Sequence, residues 1–565
     1  MSSIVDALVN LWRLWRNMCV RLLGRPPEYV WIEAGGALPE FETPVGFLRR
    51  RLSPGPGPIT LEGLRARLDR ISADGRTRAI LLRVRDLDAG WAALEELRRE
   101  LLAFREGGDR VVAYLADGVD TRSYYLACAA DEVLATPLAT LNVTGVRARV
   151  NFFKDVLHRF GIEAEVVAVS PYKTAGDSYV RNDFSRESRE QIERLLDRRL
   201  AEITRAISEG RQIPPEKVRD AIDRAPHAAR EAVAEGLLDG VCYEDELPQR
   251  LGWEGRRARL SEWGLARRGL LMPYRRRPRR RVGLVDVSGV IARGKSRRLP
   301  VPLPFLGGER TGSESVVAAL RVAEKDRRLA AVLLRVESPG GDALASDLIW
   351  REVERIRPKK PVVVLMGNVA ASGGYYVSAP ASHVVARRNT VTGSIGVLMV
   401  RPVADGLYRK IGINPASVDR GARAGLLDPS RRPTPDELRV LERQIRLVYD
   451  EFKDRVARGR EIEPRDLEDV AGGRVWTGEE ALKIGLVDEI GGFREALRKA
   501  VELGRIGRDV PAVLVRISGP RTGRPAPGNP VEAAWDAVEE MGGALSGRRA
   551  DRVWARAPYE ISEDW

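Results

Sequence analysis

The chain has 565 residues, 44% of them hydrophobic, enough length and apolar content for more than one buried core, which excludes a disordered tail or a single small module. A net charge of +14 would fit nucleic acid or an anionic surface, yet the basic residues are overwhelmingly Arg along the whole chain, and there is no RNP-type aromatic pattern, zinc-finger spacing or P-loop, so no nucleic-acid partner is expected. Cys19, Cys128 and Cys242 are far apart, as are His158, His227 and His383, which leaves neither a disulfide framework nor a metal centre to expect.

In chain order the first predicted element is a helix in IVDALVNLWRLWRNMCVRLL, residues 4–23, whose three arginines and one aspartate make it a poor membrane span. Wound at about 100° per residue, Asp6, Asn10, Arg13, Asn17 and Arg21 form one narrow strip; Leu8, Leu11, Trp12, Trp15, Met18 and Leu22 cover the rest, and only Arg16 is misplaced. A helix so built is expected to lie in a membrane interface, with docking on its own protein or oligomerisation as the competing use.

The rest of the chain repeats itself. YYLACAADEV at Tyr124 aligns with YYVSAPASHV at Tyr375, and at the same offset FGIEAE at Phe160 meets IGINPA at Ile411. With small slips, AILLRV at Ala79 meets AVLLRV at Ala331, and GRQIPPEKVRD at Gly210 meets GREIEPRDLED at Gly459. The pattern predicts two diverged copies of one domain, over 28–272 and 282–504. They are preceded by the helical segment 1–27, joined by a basic linker at 273–281, and followed by a Pro/Gly-interrupted tail at 505–565 in which PAVLVRI can add a strand.

Within each copy, short β-branched runs alternate with longer helical patterns. In the second these are VGLVDV, ESVVAALRVAEKD, AAVLLRV, LASDLIWREVERIR, PVVVLM and HVVAR, which read as βαβ crossovers of an α/β fold with a mainly parallel sheet. Active sites in such folds form at loops leaving the carboxyl ends of strands. Two of those loops stand out. ESPGGD, residues 337–342, predicts a tight turn in which Gly340 and Gly341 let the backbone approach an oxyanion, or simply a turn before a helix. MGNVAASGGYYVSAP, residues 366–380, sets Ser372 at the mouth of a helix beside Gly373 and Gly374, as a nucleophile or as an ordinary N-cap.

Comparing the copies favours chemistry. The first has RDLDAG in place of the SPGG turn and Thr121 in place of Ser372, so both features are missing from the same copy, although both copies must fold. A serine nucleophile needs a base. His383 lies in the apolar run SHVVA and falls on Glu132 of the first copy, and it stays open as a base. Lys173, in VVAVSPYKTAG, is one of only two lysines before residue 217 in a chain that otherwise writes Arg, a choice that makes sense where a proton must be shed. Its ungapped counterpart is Ala424, so one copy keeps the lysine and the other the serine.

Together, MGNVAASGGYYVS, VESPGGD, VTGSIGV and SPYKTAG resemble the long, two-domain form of the signal peptide peptidase A family, serine–lysine proteases of bacterial membranes in peptidase family S49. The resemblance implies a tandem ClpP/crotonase-like fold, Ser372 as nucleophile, Lys173 as general base, Ser394 of TGSIGV as a hydroxyl that positions the lysine, and Gly340, Gly341 and Gly373 in the oxyanion hole. It also implies a cofactor-free endopeptidase acting on apolar peptides such as cleaved signal peptides. A homotetramer at the bacterial inner membrane is expected, with the catalytic part on the periplasmic face. A crotonase-like enzyme of acyl-CoA, indifferent to loss of Ser372, and a non-catalytic membrane scaffold on the same fold are the rival classes.

Overall fold

The computed structural model describes residues 2–41, 59–274, 280–299, 308–507, 514–517 and 554–556. The chain divides into two compact units, one formed by Met1–Arg147 with Leu196–Arg277, the other by Ala148–Leu195 with Pro278–Trp565. Most of the linker at 273–281 and most of the tail beyond 507 lie outside the described residues.

The first unit is built on a six-stranded sheet in the order Leu260–Glu262, Tyr29–Ala37, Ala79–Asp88, Arg110–Leu115, Glu132–Ala135, Gly240–Val241, with every neighbour parallel. The helices Leu61–Asp74 and Trp91–Glu106 bury Leu64, Leu68, Ile71, Leu94, Leu97 and Leu101 in its core. Thr60 starts the first of these by accepting from the Gly63 N–H, and Gly75, at φ 68°, ends it.

The N-terminal segment forms the helix Ser2–Leu23, and its polar strip faces the protein. Arg13 donates to the Pro273 carbonyl, and Asn17 both donates to the Met272 carbonyl and accepts from its N–H. Arg16, misplaced on the helical wheel, donates to the carbonyls of Arg268 and Leu270 at the end of the helix Trp263–Gly269, carbonyls that have no intrahelical donor. Leu8, Leu11, Trp12, Trp15, Met18 and Leu22 are left exposed. Among the described residues no helix is long and apolar enough to cross a membrane.

The second unit repeats the same strand order. Leu514–Arg516, Arg281–Ser288, Leu329–Ser338, Val362–Ala371, His383–Ala386 and Glu489–Ile490 follow one another as parallel neighbours. The PAVLVRI run thus supplies a strand, and that strand takes the place Leu260–Glu262 holds in the first unit, so the repeated architecture reaches past 504. Matching side chains make matching bonds. The hydroxyl of Tyr124 donates to the Leu237 carbonyl at 2.6 Å and that of Tyr375 to the Leu486 carbonyl at 3.0 Å. Asp239 accepts from the Val133 N–H as Asp488 does from that of Val384, both at 2.7 Å. The duplication is therefore one of packing as well as of sequence.

Packing and sequence repeat part company at one place. Residues 148–195 belong to the first copy by alignment, but they pack in the second unit. The reason is a six-residue antiparallel ladder between Glu163–Ala168 and Leu398–Val403, which joins them to a second sheet of the order Arg297–Leu299, Gly308–Gly312, Val290–Ala292, Gly340–Asp342, Trp554–Arg556, Leu398–Val403, Glu163–Ala168. This sheet carries the lysine loop and the SPGG segment into one unit.

Candidate active site

Ser372 stands where the strand Val362–Ala371 gives way to the helix Gly373–Ser378. Its backbone is held at φ 54° and ψ −115°, outside the comfortable regions for a side chain with a Cβ, and its N–H is fixed on the Gly393 carbonyl at 2.8 Å. The hydroxyl does not cap the helix. At the equivalent position of the first unit Thr121 opens a relaxed helix, with Asp120 at φ −89° as an ordinary cap accepting from the Ser123 N–H. The strained backbone is present in the copy that has the serine and absent at the equivalent position of the copy that has threonine.

Lys173 follows the strand Glu163–Ala168, on a turn that leads into the short 3₁₀ segment Thr174–Gly176. It is 3% exposed, and its Nζ lies 2.7 Å from Ser372 Oγ, 3.0 Å from Ser394 Oγ and 3.0 Å from the Ser394 carbonyl oxygen. Burial alone pushes the ammonium well below the ordinary lysine range. Ser394 is itself at φ 53°, pinned by its N–H on the Arg474 carbonyl at 2.6 Å. The two serines and the lysine therefore meet in one buried cluster, two of them on strained backbone.

The SPGG segment departs from a simple tight turn. Gly340–Asp342 is a short strand, with Gly340 at φ 107°, and Asp342 caps the following helix by accepting from the Ala345 N–H at 2.8 Å. A Cβ on Gly341 would collide with the Ile291 carbonyl, and one on Gly373 would come within 2.6 Å of Ser346 Oγ and 3.2 Å of the Gly340 Cα. The three glycines thus bring bare backbone together beside Ser372. Gly340 donates its N–H to Ser338 Oγ at 3.1 Å. On the other edge of this strand lies Trp554–Arg556, antiparallel, pairing Gly340 with Arg556 and Gly341 with Ala555, while Leu398 pairs with Trp554 beyond it. His383 is elsewhere, its Nε2 3.0 Å from Glu489 Oε2.

Several residues that hold the cluster carry no obvious sequence signal. Gln191 donates to the Tyr172 carbonyl and accepts from the Val475 N–H, tying the lysine turn to the segment after Val470, and Arg474 lies over the Tyr172 ring at 3.7 Å. Gly473, at φ 79°, leaves room for Lys173, since a Cβ there would stand 2.6 Å from the Lys173 N and 2.9 Å from its Cα. The only hint was the doubled glycine in VAGGRVW.

The family model for peptidase family S49 matches residues 103–254 and 354–506, one segment in each copy. A chloroplastic serine protease SPPA of Arabidopsis thaliana is 32% identical over 83% of this chain and 69% of its own length. Protease 4 of Haemophilus influenzae is 31% identical over 73% of this chain and 67% of its own, and Protease 4 of Salmonella typhi is 28% identical over 76% and 71%. Among solved structures, a ClpP1 variant from Listeria monocytogenes matches 38% of this chain and 94% of its own at 17% identity, with a TM-score of 0.25.

Gly473→Ala should push the Lys173 backbone away from Ser372 and lower kcat by about 10²-fold, the usual effect of an ångström-scale misplacement. Gly472→Ala, where a Cβ meets nothing closer than the Glu468 carbonyl at 4.0 Å, carries similar backbone strain and should keep most of the activity. Steady-state kinetics of the two variants beside their unfolding curves separates the effects.

Proposed function

The chain belongs to peptidase family S49 and is a serine peptidase, and we propose that it cleaves apolar peptides such as cleaved signal peptides, with Ser372 as nucleophile and Lys173 as general base. The observation that carries this reading is the 2.7 Å contact between Lys173 Nζ and Ser372 Oγ at a site where burial alone disfavours the ammonium. Neutral Lys173 accepts the hydroxyl proton as Ser372 Oγ attacks the peptide carbonyl carbon. The oxyanion is held by backbone N–H groups of Gly341 and Gly373, joined by that of Gly340 once it leaves Ser338. As the C–N bond breaks, Lys173 returns the proton to the leaving amine. A water then loses a proton to Lys173 and attacks the ester carbon, and the proton passes back to Ser372 as the acid leaves. Ser394, with its hydroxyl and carbonyl both 3.0 Å from Nζ, aims the lysine.

A substrate main chain binds extended, antiparallel to Gly340–Asp342, in the place that Trp554–Arg556 takes. The reading includes a homotetramer at a bacterial inner membrane, with the catalytic part on the periplasmic face. Membrane contact is supported by the N-terminal helix, which docks through its polar strip and leaves Trp12 and Trp15 exposed.

Lys173→Arg keeps a basic side chain of similar length but cannot shed its proton, so it should be as inactive as Lys173→Ala, at least about 10³-fold down in kcat/KM, whereas His383→Ala should be near wild type. In the wild type kcat/KM should rise with pH through one ionisation below the ordinary lysine value of about 10.4, because the base works only unprotonated, and fall away as pH drops through the lowered pKa. Substantial turnover by the arginine variant removes Lys173 as the base.

Ala555→Pro, which breaks the pairing of the chain's own strand with Gly341, should lower KM for a short peptide several-fold at unchanged kcat, since a larger fraction of molecules has the groove free. An unchanged KM would mean that this strand does not compete with substrate.

Full-length protein should float with phosphatidylcholine–phosphatidylglycerol vesicles, and the pair Trp12→Glu and Trp15→Glu should abolish flotation while hydrolysis of a short soluble peptide persists. Equal flotation of the variant would assign the exposed face another use.

A further inference from the structure

The strand that carries Ser372 does not run straight to it. Val362–Ala371 lies parallel to Leu329–Ser338 with Val336 opposite Met366 but Ser338 opposite Ala370, so Gly367, Asn368 and Val369 all stand against Glu337. On its other edge the strand changes neighbour over the same stretch: residues 363–365 pair with residues 383–385, and residues 369–371 with Val391–Gly393. The last of these pairs, Ala371 with Gly393, is followed at once by Ser372, whose N–H is held on the Gly393 carbonyl. The bulge turns the strand out of one ladder and into the other, and so delivers the serine.

Backbone groups turned out of a ladder need other partners, and here those partners are side chains. The Glu337 carboxylate fills the bulge. Its Oε2 accepts from the Asn368 N–H at 2.9 Å and from Asn368 Nδ2 at 3.3 Å, and its Oε1 accepts from the Val369 N–H at 3.3 Å. A Cβ on Gly367 would stand 1.9 Å from Oε2, so the carboxylate requires a glycine there. On the carbonyl side the buried Arg387 donates to Met366 at 3.1 Å, and the hydroxyl of Thr390 donates to Gly367 at 2.8 Å. The first copy is written differently at these places. Glu337 falls on Arg85, and at the offset that sets Thr121 on Ser372, Gly367, Asn368 and Thr390 fall on Ala116, Asp117 and Ala139. The contact between the two positions survives with its polarity reversed: Arg85 donates to Asp117 at 2.9 Å, side chain to side chain.

We propose that Glu337 is a positioning residue for the nucleophile: by accepting from two consecutive backbone N–H groups, its carboxylate fixes the bulge that sets Ser372 Oγ against Lys173 Nζ. It touches no reacting atom and acts through the strand alone. Nor is it needed as a counter-charge, since Arg335, 3.4 Å from Oε2, also has Asp286 at 2.9 Å and Ser288 Oγ at 3.0 Å. The copy with the strained serine has the carboxylate in its bulge, and the copy with threonine has an ion pair there. The inference rests on the reading of Ser372 as nucleophile and goes beyond it by naming what holds that serine in place.

Three full-length proteins test it: the wild type, Glu337→Gln, and the double variant Glu337→Arg with Asn368→Asp. Glutamine has the same shape but sets an NH₂ donor where the carboxylate offered a second acceptor. The double variant writes the first copy's pair into the second, where Arg335 and Glu337 hold the places of Arg83 and Arg85, a combination the first copy already folds with. Glu337→Gln should lower kcat for a short peptide by about 10- to 10²-fold at unchanged KM, and slow the labelling of Ser372 by a serine-reactive phosphonate by the same factor. The pH midpoint of labelling, which Lys173 sets, should not move. The double variant should regain thermal stability over Glu337→Gln without regaining the labelling rate. Wild-type kcat in Glu337→Gln would mean that the carboxylate positions nothing, and recovered labelling in the double variant would mean that any ion pair serves; either overturns the proposal. A wild type whose Ser372 takes no label would overturn the nucleophile reading itself.

Discussion

The amine of Lys173 is buried against the hydroxyl of Ser372, and among the described residues no acid lies beside it to offset the burial; much of the second unit is arranged around that contact. Taking an ammonium out of water without a counter-charge is costly, and the cost is escaped by losing the proton. Holding the neutral amine in place then depends on geometry. The six-residue ladder brings the lysine loop in, Gln191 and Gly473 seat its backbone, and Ser394 aims the nitrogen. Ser372 and Ser394 are both kept at positive φ, an expense in stability met by the packed sheet beneath them.

Duplication explains how one chain acquired this division of labour. Both units keep the parallel sheet and the tyrosine and aspartate bonds that tie its helices and loops together. Only one keeps the strained serine, and the lysine comes from the segment of the other copy that crossed over in packing. In the first copy Thr121 with Asp120 forms a standard helix start.

Much of this was legible because it is local. Alternating β-branched and helical runs marked the parallel sheets, the doubled motifs marked the copies, and the scarcity of lysine among many arginines marked Lys173. What was not legible depends on distant partners. The alignment assigned 148–195 to the first copy, and nothing local says that Glu163–Ala168 prefers Leu398–Val403. Arg16 looks misplaced on a wheel because its partners, the carbonyls at 268 and 270, belong to the end of another helix. The SPGG run reads as a turn and is a short strand, because its pairing partners Ile291 and Ala555 are far away in sequence.

The central claim is that Lys173 is neutral where it stands. The chain has only eleven lysines, so ¹³C labelling at lysine Cε gives a spectrum in which the Lys173 resonance can be assigned by its loss in Lys173→Met and followed through a pH titration. The account predicts a titration well below the ordinary value of about 10.4, with the other lysines near it. A Lys173 resonance that titrates at or above that value would show a buried ammonium instead of a base, and would contradict the account whatever the activity of the enzyme.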